Sequence, residues 1–234
     1  GFLLDRYGSQ AFLPIFIGLS LLRGLASLLL PNFRAADERD RRTAVGAFLR
    51  SIRPGFALPL IGWSLVSCTH SILNGFLGVL WSEQGIAADT IGILIGVSSL
   101  SETAMFFAFK RFAIHLSAHR LILASCLIAV FRWGAYAFSP GVGLLSVLQL
   151  LHAFTYVVGF LACTNFIADR ATESNAAEAQ SCFAAMQAAT AIVALVGFGW
   201  LAGEYGARAF LVPAACAAAG ALLILVARAV TEPN

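Results

Sequence analysis

The sequence predicts an all-α integral membrane protein, and three observations carry that prediction. Of its 234 residues, 59% are hydrophobic and only 12% charged, about half the charged share of soluble domains, with a mean hydropathy of +0.84. Apolar runs of about 20 residues recur along the chain, each long enough to cross about 30 Å of hydrocarbon at 1.5 Å per residue. Their interiors show no two-residue alternation, so helices satisfy the backbone in lipid where a barrel pattern is missing.

Seven runs follow in order, at 11–30, 55–81, 90–109, 120–138, 141–168, 178–200 and 208–228. The stretch before the first, "GFLLDRYG", has neither the charged start nor the small-residue cleavage site of a signal peptide. With Gly at position 1, the chain is expected to begin inside a longer protein. The connection between the first two runs carries Arg34, Arg39, Arg41, Arg42, Arg50 and Arg53. Within it Val45, Phe48, Leu49 and Ile52 recur at helical spacing opposite the arginines. A helix lying at the membrane surface and a solvated linker are both open readings. The next loop on that side holds Lys110, Arg111 and Arg120, whereas 82–89 and 139–141 hold no Lys or Arg and 203–208 holds one. By the positive-inside rule the basic loops are cytoplasmic, which predicts a multi-pass protein of the cell's inner (plasma) membrane. Topology thereby accounts for the net charge of +3 without a nucleic-acid partner. Cys68, Cys126, Cys163, Cys182 and Cys216 all fall in apolar runs without metal-ligand spacing, so small core residues are expected, with no metal and no cofactor.

An internal similarity sets the domain organisation. "GFLLDRYGSQAFL" at 1–13 reappears as "GWLAGEYGARAFL" at 199–211, an offset of 198 residues. Both copies enter an apolar run from an outer loop, as parallel repeats about an axis along the membrane normal would. The expected arrangement is the end of an N-terminal bundle at 1–30, a cytoplasmic inter-half loop at 31–54, and a C-terminal six-helix bundle at 55–234. On that count the runs are helices six to twelve of a twelve-helix molecule, whose N-terminal half is the expected partner.

Charges inside membrane helices cost about 2.5 to 3.5 kcal/mol at the centre on insertion scales, so each one calls for an explanation. Arg23, His70, Glu102, Arg132 and His152 are the five. Counted from the outer ends, His70, Glu102 and His152 lie about 16 to 18 Å deep. Arg132 lies nearer the outer face, with a side chain long enough to reach the Glu102 carboxylate, and Arg23 is near enough to the inner end to snorkel. Polar neighbours at helical spacing extend these positions: Ser67, Ser71 and Asn74 beside His70, Ser98 and Ser99 beside Glu102, Gln149 and Tyr156 beside His152. Gln187 and Thr190 add another face. Such stripes are expected to line a central aqueous cavity. The plainer alternatives are a structural ion pair between Glu102 and Arg132, packing histidines, and close helix contact at Gly92 and Gly96.

The segments "VSSLSE" ending at Glu102, "FRWGAYA" around Arg132 and "LQLLHAFTYVVGFLA" at 148–162 resemble the major facilitator superfamily, in its phenylpropionate-permease-like branch of proton symporters. The resemblance runs across essentially the whole chain. It implies that fold, and it implies proton-coupling roles for Glu102, Arg132 and His152 like those of lactose-permease-type symporters. The loop "FAFKRFAIHLSAHR" departs from the superfamily's G-x-x-x-D-R-x-G-R pattern, lacking its Gly and Asp.

These expectations combine into a secondary transporter that imports a small organic acid, aromatic acids included, with a proton by alternating access. Desolvation and a neighbouring guanidinium act oppositely on a carboxylate's proton affinity. A changing separation of Glu102 and Arg132 would thus couple protonation to access. His70, Asn74, Gln149, Tyr156 and Gln187 are the expected substrate contacts. Symport of a sugar or nucleoside, and export, are the alternatives within the class. An enzyme is not expected, since HExxH, paired cysteine ligands, a phosphate-binding Gly loop and G-x-S-x-G are all missing from the sequence.

Overall fold

The computed structural model describes residues 53–113, 115–171 and 175–231, together with the helical positions Pro14, Ile17, Gly18, Leu21, Leu22, Gly24 and Leu25. The first copy of the repeat, Arg23 and all of the arginine-rich connection except Arg53 lie outside the described residues.

The described chain is built of helices. Helix α1, Pro54–Glu83, starts with proline in its first turn, where a missing N–H costs nothing. Helix α2, Ala88–Ala113, has Asp89 in its first turn and Lys110 and Arg111 in its last, matching the helix dipole at both ends. Helix α3 is Ala118–Tyr136. The next crossing is interrupted: α4, Val142–Leu150, leads through a wide π-type turn at Phe154–Val158 into α5, Gly159–Ala168. Helix α6, Ala176–Tyr205, and α7, Leu211–Thr231, are joined by a 3-10 turn at Gly206–Phe210.

Five stretches among the described residues are long and apolar enough to cross a membrane. The last, Ala176–Val230, has 55 residues, far more than the roughly 20 that one crossing takes. It is broken at Gly206, whose φ of 54° is a conformation glycine adopts without a Cβ penalty. The second copy of the repeat is this helix–turn–helix junction, and its Phe210 is buried in a stack on the Trp133 ring at 5.9 Å. Counting α4 and α5 as one crossing, six crossings are described, at the positions that hydropathy predicts.

Helix α1 is the core of the bundle and touches α2, α3, α5, α6 and α7. Two approaches explain how it fits. A Cβ on Gly62 would lie 2.7 Å from the Gly220 carbonyl oxygen, and one on Gly220 would lie 2.4 Å from that of Gly62. The backbones of α1 and α7 therefore meet where lipid offers no hydrophobic drive and close van der Waals contact must hold helices together. The Trp63 indole lies so tightly against Gly159 that any side chain there would collide with it. Gly92 and Gly96, expected at a helix contact, have nothing within 4 Å of an added Cβ. Helix α2 is peripheral, with Leu100 and Phe107 exposed at 71% and 85%. The five cysteines are free, three of them buried, as small apolar residues would be.

Candidate functional site

The interrupted crossing organises the polar centre. Around its wide turn, four backbone carbonyls take side-chain donors. Leu148 accepts from Arg132 Nε at 2.8 Å, Gln149 from the Ser101 hydroxyl at 3.4 Å, His152 from the Thr155 hydroxyl at 3.1 Å and Thr155 from the Ser125 hydroxyl at 2.9 Å. A π-type turn loosens the regular helical ladder and is found disproportionately at functional sites. Its presence inside 141–168 was not legible from hydropathy, which sees only a continuous apolar run.

Arg132 is wholly buried. Besides the Leu148 carbonyl, its guanidinium donates through Nη1 to Thr155 Oγ1 at 3.2 Å and through Nη2 to Gln149 Oε1 at 2.8 Å, with Tyr136 Oη at 3.5 Å. Tyr136 in turn donates to Gln149 Oε1 at 2.9 Å, and Gln149 Nε2 donates to the Leu94 carbonyl of α2 at 3.1 Å. The charge is further faced by the Trp133 and Tyr136 rings, 5.0 and 5.5 Å from the guanidinium carbon. Arg132 is thus held by neutral acceptors and π faces.

Two sequence expectations are corrected here. Glu102 does not pair with Arg132: among the described residues its carboxylate Oε1 meets His152 Nε2 instead. Nor is Arg132 open to solvent: it is wholly buried, with acceptors from α3, α4 and the wide turn around its guanidinium. His152 is also buried, while the Glu102 side chain is 29% exposed. Glu102 is therefore the accessible end of a pair whose other member is inside.

The hydrogen inventory restricts this cluster. His70 Nδ1 donates to the Val66 carbonyl at 3.0 Å, so in the neutral ring Nε2 is an acceptor, 2.9 Å from the Thr155 hydroxyl. Thr155 has one proton and two acceptors within reach, His70 Nε2 and the His152 carbonyl. His152 Nδ1 is buried without a hydrogen-bond partner. A neutral His152 donating from Nε2 to the Glu102 carboxylate leaves only an unfilled acceptor at Nδ1. A doubly protonated ring would leave an orphaned buried N–H, which costs about 1 to 3 kcal/mol. The neutral ring is therefore the form that leaves no buried N–H without an acceptor.

The other sequence candidates divide by exposure. His70 and Gln149 are buried and hydrogen-bonded. Tyr156 is half-buried, its ring 5.8 Å from that of His152 and 5.2 Å from that of His70. Gln187 is half-buried and accepts from the Ser67 hydroxyl at 3.1 Å, and Asn74 is exposed on α1. The His70 and His152 rings are 5.0 Å apart, so the side chains that counting placed at one depth are neighbours. Tyr136, Thr155 and Ser125 were missed. Tyr136 lies four residues after Arg132 and Thr155 three after His152, so helical spacing alone could have found both. A cavity of about 510 Å³ lined by His119 and Arg120, and an apolar one of about 450 Å³ lined by Cys68 and Val193, lie away from this cluster.

An all-helical bundle of membrane-crossing segments around a buried cationic network is the architecture of a major facilitator fold. The chain belongs to the family described as "MFS_1 like family", which it matches over residues 1–212. It is similar to the "Probable 3-phenylpropionic acid transporter" of Escherichia coli (strain K12), with 27% identity over 163 residues, 64% of this chain and 41% of that protein. The chain thus covers less than half the length of that relative.

Proposed function

We propose that this chain forms part of a secondary transporter that moves a small organic acid together with a proton by alternating access. The observation that carries the reading is the Glu102–His152 pair: a partly exposed carboxylate, backed by an imidazole, beside the hydrogen-bonded cluster of a buried guanidinium. In the proposal Glu102 takes the proton from the accessible side and His152 holds its carboxylate in place. Arg132 supplies a fixed positive field that disfavours a second cation and favours an anionic substrate. Tyr156, Asn74 and Gln187 offer accessible polar contacts, with His70 and Gln149 behind them. The half-buried Tyr156 and Phe160 rings, stacked at 6.4 Å, suit an aromatic acid, in keeping with the name of the E. coli relative. The basic helix ends face the cytoplasm of the inner membrane, and the N-terminal half of the same transporter completes the cavity.

Uptake into vesicles carrying the full-length transporter tests this, with a panel of aromatic and aliphatic acids. For one proton per substrate in electroneutral symport, a one-unit inward pH gradient supports about tenfold accumulation, since 1.4 kcal/mol is a factor of ten. The Glu102→Gln variant is expected to equilibrate substrate without accumulating it. Full accumulation by that variant would make the pair structural and remove Glu102 from the mechanism.

A further inference from the structure

The end of the bundle that carries Lys110 and Arg111 contains a concave basic site that the transport reading does not use. A cavity of about 510 Å³ is lined there by His115, Ser117, His119, Arg120, Arg170 and Arg228. These residues come from four places in the chain: the α2–α3 connection, the first turn of α3, the end of α5 and the last turn of α7. Among the described residues no carboxylate lines this cavity. Asp169 lines an adjoining one of about 270 Å³, which shares Ser117, His119 and Arg170 with the first. The positive-inside rule accounts for basic residues at this end, but not for three arginines gathered around one hollow.

The site is also preorganised. The buried Phe166 ring supports Arg170, whose guanidinium carbon lies 3.9 Å from its centroid, and packs edge-on against His119 at 4.9 Å. The inner wall is apolar, formed by Leu123, Ile224 and Leu225. Leu225 is exposed, and it continues on its face of α7 into Leu222, just as Leu123 continues on α3 into Leu127. A cationic mouth above a lipid-facing aliphatic track has the layout of a phosphate group with acyl chains below it.

We propose that this cavity binds a phosphate-bearing anion at the basic end of the bundle, Arg120 and Arg170 contacting the phosphate and Arg228 lining the hollow. The aliphatic track favours the headgroup of an anionic phospholipid over a free phosphate ester.

Native mass spectrometry of the full-length transporter, titrated separately with phosphatidylglycerol, phosphatidylcholine and inorganic phosphate, tests this. Phosphatidylglycerol is expected to bind in preference to phosphatidylcholine and to weaken about fivefold in Arg120→Gln, following the usual contribution of one surface arginine to anionic-lipid binding. Arg120→Lys, which keeps the charge, is expected to retain binding and so separates charge loss from misfolding. Saturable binding of inorganic phosphate with the same dependence on Arg120 would support the anion site while assigning it to a soluble ligand. Equal binding of both lipids, together with phosphate binding that is absent or unaffected by Arg120→Gln, would overturn the proposal.

Discussion

At the residue scale, Gln149 is the junction of the polar centre. It accepts from Arg132 and Tyr136 through one oxygen and donates to α2 through its nitrogen. Gln149→Leu preserves bulk but leaves a buried guanidinium N–H, a phenol and the Leu94 carbonyl short of partners. Each buried unsatisfied group costs about 1 to 3 kcal/mol. The variant should lose about 3 kcal/mol of stability, read as a lowered midpoint in a denaturant or detergent titration. Tyr136→Phe removes only one hydroxyl from the same cluster and should cost about 1 kcal/mol. Equal losses in the two variants would mean that Gln149 is not the joint. The pairing of Glu102 with His152 was not readable from composition. A carboxylate among basic residues suggests the strongest cation as its partner, but here neutral acceptors claim Arg132 first.

At the element scale, glycines that look alike in sequence have opposite meanings. Gly220→Ala puts a methyl group 2.4 Å from the Gly62 backbone oxygen, and backbone cannot rotate away. Helices α1 and α7 must separate, at a cost of about 1 to 3 kcal/mol. Gly92→Ala meets nothing within 4 Å and should be neutral or stabilising by about 0.5 to 1 kcal/mol through helix propensity. Thermal unfolding of the two variants side by side checks the contrast. Gly159→Ala displaces the Trp63 indole from its seat among Tyr156, Phe160 and Phe183. Its signature is a shift in tryptophan emission, and an unchanged spectrum would show that the contact is not made. The hydropathy pattern that located the crossings is silent on all of this, because a glycine's neighbours belong to another helix.

At the scale of the whole molecule, charge is unevenly divided between the two ends. Among the described residues Arg53, Lys110, Arg111, Arg120, Arg170 and Arg228 lie at the helix ends on one side with Asp169 and Glu178, while Glu83, Asp89 and Glu204 lie at the other with Arg208. The positive-inside rule predicts that the basic end is cytoplasmic. Cysteines introduced as Lys110→Cys and Gln84→Cys should therefore be labelled by a membrane-impermeant reagent from opposite sides of the cell membrane, Gln84→Cys from outside. Labelling of both from one side would reject the topology on which the transport proposal rests.

The sequence by itself located the six described crossings to within a few residues and brought His70, Glu102 and His152 to one level along them. Those properties follow from a one-dimensional rule: lipid demands about 20 apolar residues per crossing, and 1.5 Å per residue converts position into depth. Even the break between α6 and α7 is visible as the repeated "YG" motif at Gly206. Only the tertiary structure decided that Glu102 meets His152, that Arg132 is sealed inside, and that Tyr136 and Thr155 complete its shell. Such pairings depend on how each helix is rotated and how closely it approaches the next. Here those quantities are set by the Gly62–Gly220 contact, the seat of Trp63 on Gly159 and the wide turn at Phe154–Val158. All three are relations between distant parts of the chain, which no local pattern encodes.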